Sequence, residues 1–220
     1  MRIKVDLHVH TSCSLDSLIK FDKLIETCDQ NNVDCVAITD HNRIDCAIKL
    51  YEIAPSRIIV GEEIKTNAGE IIGLFLKEYI PPNLSPQKTI NRIKEQGGLV
   101  YVPHPFDGLR GSVLKRQALE EIIDDVDIIE VFNSRNAFSY SNKKAYKLAK
   151  EKGLAIGVGS DAHSGLELGK AYVLVEQFSD AKDFLSKLHY AELYTKKTPV
   201  VFNLINKIYK TFRSMKRNIR

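Results

Sequence analysis

The stretch MRIKVDLHVHTS at residues 1–12 decides how the chain is interpreted, because a run in which apolar and polar residues alternate leads directly into two histidines. The run at residues 3–7 predicts a β-strand. Alternate side chains of an extended segment point to the same side, so His8 and His10 are presented together where this strand ends. The stretch therefore predicts a strand whose carboxyl end carries a pair of imidazoles.

Short β-branched runs of the same kind recur along the chain, with helical segments between them. Strands are predicted at residues 3–7, 35–39, 57–62, 71–76, 99–102, 128–132, 155–159 and 171–175. Helices are predicted at residues 21–31, 45–53, 85–96, 114–124, 142–152 and 180–188. Ser85 before Pro86 is typical of a helix start, and Gly153 of a helix end. This alternation predicts an α/β parallel sheet or barrel built from βα units.

Unusual polar residues follow the carboxyl ends of the predicted strands. In chain order they are His8 and His10, Asp40 and His41, Glu63, His104, Glu130 to Asn133, and Asp161 to His163. In α/β barrels the loops at this edge converge and assemble the active site, whereas the opposite edge serves stability. The register of the motifs therefore predicts one site at the carboxyl edge of the barrel.

Length and composition favour one α/β domain, since the 220 residues are 44% hydrophobic. We expect residues 1–195 to form this domain and residues 196–220 to form a basic amphipathic helix packed on it or extending from it. The net charge of +4 favours a small phosphorylated substrate or a short nucleic acid as partner. The oligomeric state is left open.

The cysteines and the apolar runs bear on the compartment. Cys13, Cys28, Cys35 and Cys46 form no CxxC pair, so neither a disulfide framework nor a zinc knuckle is indicated. The first residues lack the apolar core of a signal peptide, and no run approaches the ~18 apolar residues of a membrane span. We expect a cytoplasmic protein with no membrane partner.

Five of the six histidines lie in four compact motifs: DLHVHT, TDHN, PHP and GSDAH. Imidazole and carboxylate are the ligands that Zn²⁺, Mn²⁺ and Fe²⁺ share. Each motif alone is a weak signal, but their placement on successive strand ends favours a common metal site. Because the candidate ligands exceed the three or four that a single ion needs, two or three divalent ions are predicted.

With these motifs in order, the chain resembles the polymerase-and-histidinol-phosphatase (PHP) family of phosphoesterases. The resemblance rests on DLHVHTSCSLDS, AITDHN, VGEEI, VPHP and GVGSDAH and covers about residues 1–175. It implies a distorted, TIM-like barrel of seven βα units with a trinuclear metal site. It also implies hydrolysis of phosphate esters by a metal-activated water.

The resemblance implies three ligand sets. His8, His10, Glu63 and Asp161 would surround one ion, Glu63 would bridge to a second ion that also takes His104, and Asp16, His41 and His163 would hold the third. His41, Glu63, Asp161 and His163 would be the catalytic members. Two positions depart from the family pattern: Asp16 lies one residue later than usual, and Glu70 replaces a frequent histidine. Glu70 is either a substitute ligand or a solvated hairpin residue.

Three side chains near the predicted site are candidates for substrate binding: Arg110, Asn133 and Arg135. Arginine suits phosphate because its planar guanidinium pairs with two oxygens. The favoured function is a phosphatase acting on a nucleotide, a nucleoside 3',5'-bisphosphate or histidinol phosphate. An exonuclease on short RNA or DNA is the alternative. A non-catalytic scaffold is least favoured, since it has no need of so complete a ligand set.

Overall fold

The computed structural model describes residues 1–136, 138–199, 201–202, 206, 209, 211 and 213. Its strands are β1 (Arg2–Val9), β2 (Cys35–Ile38), β3 (Ile58–Thr66), β4 (Gly69–Leu74), β5 (Leu99–Val102), β6 (Ile128–Asn133), β7 (Ala155–Gly159), β8 (Ala171–Glu176) and β9 (Glu192–Thr195). Its helices are α1 (Leu24–Gln30), α2 (Asp45–Ile53), α3 (Pro86–Glu95), α4 (Arg116–Ile122), α5 (Ser139–Lys152) and α6 (Ala181–Leu188). Each of the eight strands and six helices predicted within residues 3–188 has a counterpart among them.

The strands form one sheet in the order β7-β6-β5-β4-β3-β2-β1-β8-β9. Its first seven strands curl into a nearly closed barrel, because the end of β1 meets the segment after β7. Val9 and Ala162 form a parallel bridge there, and the backbone N–H of His10 donates to the carbonyl of Ala162 at 3.0 Å. The predicted α/β barrel is thereby confirmed, with β8 and β9 extending the sheet beyond β1.

Strand β4 departs from the predicted succession of βα units. It pairs antiparallel with both β3 and β5, while β1-β2, β2-β3, β5-β6 and β6-β7 are parallel. Only Asn67 and Ala68 separate β3 from β4, and a parallel connection needs a much longer crossover. As a result the amino end of β4, with Glu70, lies at the edge where the parallel strands have their carboxyl ends.

The helix boundaries follow from local sequence. Helix α3 begins at Pro86, and the Ser85 hydroxyl accepts a hydrogen bond from the backbone N–H of Lys88, as predicted for an N-cap. Helix α5 ends at Lys152, and Gly153 follows in the left-handed region with φ of 65°. Strand β9 was missed because all four of its residues are exposed, so it lacks a buried face.

The barrel interior below the strand ends is filled by apolar side chains around Tyr101, which is fully buried. Gly157 makes room for this ring, since a Cβ at Gly157 would lie 2.4 Å from Tyr101 Cε2. The Tyr101 hydroxyl donates to Glu130 Oε1 at 2.9 Å. The aromatic ring therefore forms the floor on which the polar upper layer of the barrel rests.

The expectation of no disulfide is wrong for one pair, because Cys13 and Cys46 are bonded to each other. They are 33 residues apart, and they meet because the loop after β1 packs beside the start of α2. No sequence spacing indicates such a pair. Cys28 and Cys35 are buried free thiols.

The predicted basic helix at the carboxyl terminus falls mostly on residues outside those described, and its boundaries stay a prediction. Of the described residues in that segment, 201, 202, 206, 209, 211 and 213 are helical, whereas 196–199 are not. Among them, Arg213 donates hydrogen bonds to the carbonyls of Ser12 and Ser14 in the loop after β1. No helix in the described part of the chain is long and apolar enough to cross a membrane.

Candidate metal centre

The structure brings all eight predicted ligands together at the carboxyl edge of the barrel. They are His8, His10, Asp16, His41, Glu63, His104, Asp161 and His163. All are buried except His41, whose side chain is 28% exposed. Because the loops that carry them converge there, residues from five different strand ends share one small volume.

The first cluster contains His8, His10, Glu63 and Asp161. The two imidazole Nε2 atoms are 3.1 Å apart. Asp161 Oδ1 lies 3.7 Å from the Nε2 of His8 and 3.3 Å from that of His10. Glu63 Oε2 lies 3.6 and 3.4 Å from the same two atoms. This is the set that the family resemblance assigned to one ion.

Glu63 also faces a second cluster. Its Oε1 lies 3.2 Å from His104 Nε2, and its Oε2 lies 3.0 Å from His41 Nδ1. Glu70 completes this group, with its oxygens 3.9 Å from His104 Nε2 and 4.0 Å from His41 Nδ1. Glu70 is therefore a buried side chain directed at the cluster and not a solvated hairpin residue.

Asp16, His41 and His163 form the third cluster. Asp16 Oδ2 is 3.6 Å from His41 Nε2, and Asp16 Oδ1 is 3.7 Å from His163 Nε2. The one-residue displacement of Asp16 in the sequence does not remove it from the site. The ligand roles of all eight side chains stay predictions, but their proximity is a property of the fold.

These clusters fit divalent cations. In each of several groups of three side chains, the ligand atoms of imidazoles and carboxylates lie within 4.8 Å of one another; examples are His8, His10 and Glu63, and His10, His41 and His163. Asp161 Oδ1 is buried and receives no hydrogen bond within the described residues, although imidazoles face it. A buried carboxylate oxygen without a donor is costly unless a cation binds it. Several overlapping groups of this kind are consistent with a multinuclear metal site.

Comparisons with known proteins agree with this geometry. An uncharacterised protein of Methanocaldococcus jannaschii is 41% identical over 217 residues, which cover 95% of this chain and 88% of the relative. A family model described as PHP-associated matches residues 139–193. A two-domain protein of Bacteroides vulgatus, described as containing a predicted PHP-like metal-dependent phosphoesterase, has the same fold, with a TM-score of 0.68 and 19% identity. The match covers 89% of this chain and 65% of that protein.

The chain belongs to the PHP-like metal-dependent phosphoesterase family. Its fold is also similar to that of a lesion-specific endonuclease, EndoQ of Pyrococcus furiosus, with a TM-score of 0.62 and 15% identity. That match covers 88% of this chain and 58% of the endonuclease. The PHP fold is thus shared by the chain and by proteins of different size.

Charge in the PHP site is concentrated on three carboxylates, those of Glu63, Asp161 and Asp16. Burial opposes ionisation of Asp16, but the imidazole of His41 outweighs it and holds the pKa of Asp16 well below its ordinary value. Burial raises the pKa of Glu63, but the imidazoles of His41 and His8 outweigh it and hold that pKa well below its ordinary value. Burial likewise opposes ionisation of Asp161, yet Arg110 and His8 keep its pKa well below the usual range. Burial and the Glu63 carboxylate raise the pKa of Glu70. A bound cation would relieve that repulsion.

Two of the predicted ligands have an uncommon backbone conformation. His104 has φ of 32° and Asp161 has φ of 53°, both in the left-handed region that residues with a Cβ rarely adopt. Such positions persist where the surrounding structure fixes them, and they concentrate at functional sites. In PHP motifs VPHP and GSDAH, the strained residue is the one whose side chain enters the cluster.

Glu130 supports the first cluster from below, a role that sequence reasoning left open. Its Oε1 contacts His8 Nδ1 at 3.0 Å and accepts from the Tyr101 hydroxyl. Its Oε2 accepts from the backbone N–H of His104 at 2.7 Å and from the Asn133 amide at 3.0 Å. A carboxylate only accepts, so His8 carries a proton on Nδ1, and Nε2 is the ring nitrogen that would bind a metal.

Two further aspartates position ligand loops, and sequence reasoning did not assign them. Asp40 accepts from the backbone N–H and hydroxyl of Thr11 at 2.8 and 2.6 Å, and from the Ser14 hydroxyl at 2.7 Å. It thereby fixes the loop that delivers Asp16. Asp6 accepts from the backbone N–H groups of Ser160 and Gly169, both at 3.0 Å, and burial raises its pKa to about 6. Their positions inside DLHVHT and TDHN were the available signal.

The three predicted substrate-binding side chains lie beside Asp161 and His163. Arg110 is 2.5 Å from Asp161 Oδ2, and Asn133 Oδ1 accepts from Arg110 at 3.3 Å. Arg135 contacts His163 Nδ1 at 2.5 Å and the carbonyl of Asp161 at 3.4 Å. Their proximity to the PHP site agrees with the prediction, and their roles toward a substrate stay predictions.

Proposed function

We propose that this PHP protein hydrolyses phosphate monoesters at a site that holds two or three divalent metal ions, whether zinc, manganese or iron. The observation that carries the proposal is Glu63, whose Oε1 lies 3.2 Å from His104 Nε2 while its Oε2 lies 3.0 to 3.6 Å from ring nitrogens of His41, His10 and His8. A single carboxylate shared by two metal positions is suited to two-metal hydrolysis.

In this proposal the side chains of the site serve as metal ligands. When bound, the ions supply Lewis-acid activation of water and neutralise the charge on the transferring phosphoryl group. His8, His10, Glu63 and Asp161 would hold one ion, and His104 with Glu63 and Glu70 a second. Asp16, His41 and His163 would hold the third. Asp161 is kept ionised by its neighbours, as a ligand must be.

Two guanidinium groups would bind the anionic substrate. The Arg110 side chain is 24% exposed and that of Arg135 is 9% exposed. Arg110 is therefore the more accessible to a phosphate arriving from solvent, and Arg135 is suited to a group that reaches deeper beside His163. Asn133 would hold both, because its side-chain oxygen accepts from the Arg110 guanidinium and from the backbone N–H of Arg135 at 2.9 Å.

The proposed substrate class is a nucleotide, a nucleoside 3',5'-bisphosphate or a similar small phosphorylated molecule. Paired guanidinium groups beside one metal centre support a substrate with more than one anionic group. An exonuclease acting on short RNA or DNA is the second candidate. The likeness of the fold to an endonuclease is the specific observation that favours it. Histidinol phosphate is a third, with a single phosphate.

The test is a substrate panel for protein reconstituted with zinc, manganese or iron. An aryl phosphate, a nucleoside monophosphate, a nucleoside 3',5'-bisphosphate, histidinol phosphate and a short oligonucleotide are compared by release of phosphate or mononucleotide. Glu63→Gln is the inactive variant and Glu62→Gln the matched control, since Glu62 is buried on the other face of β3 and accepts from the backbone N–H of Ile80. Equal turnover by wild type and Glu63→Gln on every substrate would defeat the proposal.

A further inference from the structure

The disulfide between Cys13 and Cys46 joins two of the three segments that carry ligands of the third cluster. Cys13 lies three residues before Asp16, in the loop after β1. Cys46 is in the first turn of α2, five residues after His41. The covalent bond therefore ties the segment that delivers one carboxylate to the segment that delivers the imidazole beside it.

Hydrogen bonds connect the same two loops around the disulfide. The backbone N–H of His41 donates to the Ser14 hydroxyl at 3.0 Å, and that hydroxyl donates to Asp40. Within the loop after β1, the backbone N–H of Cys13 donates to the Thr11 hydroxyl at 3.2 Å, and that hydroxyl donates to Asp40 Oδ2 at 2.6 Å. Among the described residues, the disulfide is thus the one covalent link between these two loops. Their other contacts are hydrogen bonds made by short polar side chains.

The other two cysteines lie away from the rim of the site. Cys28 and Cys35 are buried in the hydrophobic core, and burial raises the pKa of each thiol to about 12. A thiol that stays protonated and inaccessible is a poor partner in thiol–disulfide exchange. Cys13 is partly exposed at the rim of the site, so a small thiol or disulfide from solvent reaches it.

We propose that Cys13 and Cys46 form a reversible oxidation site that controls occupancy of the third metal position. In the forward step two thiols lose two protons and two electrons and form one S–S bond. The electrons pass to a low-molecular-weight disulfide, which is reduced to two thiols. A low-molecular-weight thiol reverses the reaction by exchange. The coupling to metal rests on the proposed function, whereas formation of the bond does not.

The coupling follows from which ligands the disulfide holds. Asp16 and His41 approach each other at 3.6 Å, and both lie on loops that the disulfide joins. In contrast, His8, Glu63 and Asp161 of the first cluster come from strand ends within the barrel. Reduction should therefore loosen the third position and leave the first cluster intact. Oxidation should preorganise Asp16 and His41, which removes an entropic cost of binding.

The experiment compares full-length protein equilibrated with glutathione disulfide or with reduced glutathione. Alkylation under denaturing conditions followed by mass spectrometry is expected to modify two cysteines in the oxidised protein and all four in the reduced protein. After metal loading and removal of free thiols, chelator titration with elemental analysis counts the ions retained. We expect the reduced protein to lose its most weakly held ion at a chelator concentration about tenfold lower, with the other ions unchanged.

Two variants and a metal-free readout separate the possible failures. Cys13→Ser and Cys46→Ser should behave like the reduced wild type in either buffer. Hydrogen exchange of metal-free protein should be slower at residues 11–18 and 41–48 in the oxidised state. Absence of metal in both states would defeat the proposed function. The hydrogen-exchange result would then still test whether the disulfide holds the two loops together. Equal ion retention and equal exchange in the two states would overturn the inference.

A thiolate metal site is the competing outcome of the same titration. The ligand atoms of Cys13, Asp45 and Cys46 lie close enough to hold one ion in the reduced protein. If the reduced protein binds one additional zinc ion that oxidation releases, the pair is a metal site and the proposed control by disulfide is wrong. Retention of fewer ions on reduction supports the disulfide.

Discussion

Replacing Glu130 with Gln should weaken metal binding without disrupting the fold. In the native site all four groups around the Glu130 carboxylate are donors: His8 Nδ1–H and the Tyr101 hydroxyl at Oε1, and the His104 backbone N–H and Asn133 amide at Oε2. A glutamine amide presents one oxygen and one NH₂ group in the same volume. The two donors at one of the former carboxylate oxygens must therefore face the NH₂ group of the glutamine, which is itself a donor.

The direction in which the amide settles decides the outcome. The His104 N–H and the Asn133 NH₂ can only donate, so the amide oxygen remains beside them. The NH₂ group then faces Tyr101, whose hydroxyl can rotate to accept, and His8, whose Nδ1 can accept only if its proton moves to Nε2. That proton occupies the atom that lies 3.1 Å from His10 Nε2 and faces the cluster. His8 is thereby lost as a ligand.

The magnitude follows from the cost of restoring the binding tautomer. To bind a metal through Nε2, His8 must carry Nδ1–H against the glutamine NH₂, which leaves a buried donor without a partner at a cost of about 1–3 kcal/mol. Since 1.36 kcal/mol corresponds to a factor of ten, affinity at the first cluster should fall about ten- to a hundredfold. The free energy of unfolding of the metal-free protein should change much less.

Chelator competition monitored by elemental analysis measures this loss. Tyr101→Phe is the matched control, because it removes one donor to Glu130 but leaves the carboxylate to hold His8. Its metal affinity should stay near that of the wild type. If Glu130→Gln retains wild-type metal affinity, or if Tyr101→Phe loses as much, the proposed control of the His8 tautomer is wrong.

Four further outcomes test the site. Glu63→Gln should lower turnover by several orders of magnitude while Glu62→Gln changes it little; the reverse order in a steady-state assay would contradict the assigned register of β3. Burial raises the pKa of Glu62 to about 8 from an ordinary value of 4.5, so the folded protein binds this proton more tightly than the unfolded chain. The free energy of unfolding should therefore fall as pH rises from about 5 to 8, by at most ~5 kcal/mol, and Glu62→Gln should flatten that decline in denaturant titrations. Arg135→Ala should reduce catalysis about ten- to a hundredfold more for a nucleoside bisphosphate than for an aryl phosphate, with unchanged metal content; equal losses would assign Arg135 to the reacting phosphate or to the fold. Elemental analysis of active protein purified without chelator should find more than one divalent ion per chain, and one ion or fewer at full activity would refute the multinuclear site.

Much of the fold and most of the candidate site could be predicted from the sequence. Strand and helix positions depend on local periodicity and on capping residues such as Ser85 and Gly153, which act over a few positions. The eight candidate ligands follow strand ends, and in a barrel those ends converge whatever the details of packing. The first strand with its His8 and His10 already indicated a metal site at that edge.

Other features depend on contacts between residues far apart in the chain, and only the tertiary structure decided them. The antiparallel direction of β4 turns Glu70 toward His41 and His104, although its sequence alone fits a solvated hairpin equally well. Glu130 supports His8 across 122 residues of sequence, and Cys13 meets Cys46 across 33. The sequence by itself determined which side chains reach the barrel edge, because that is set by local periodicity. The hydrogen bonds, the metal-ligand groups and the disulfide among them depend on distances that arise only when the sheet closes.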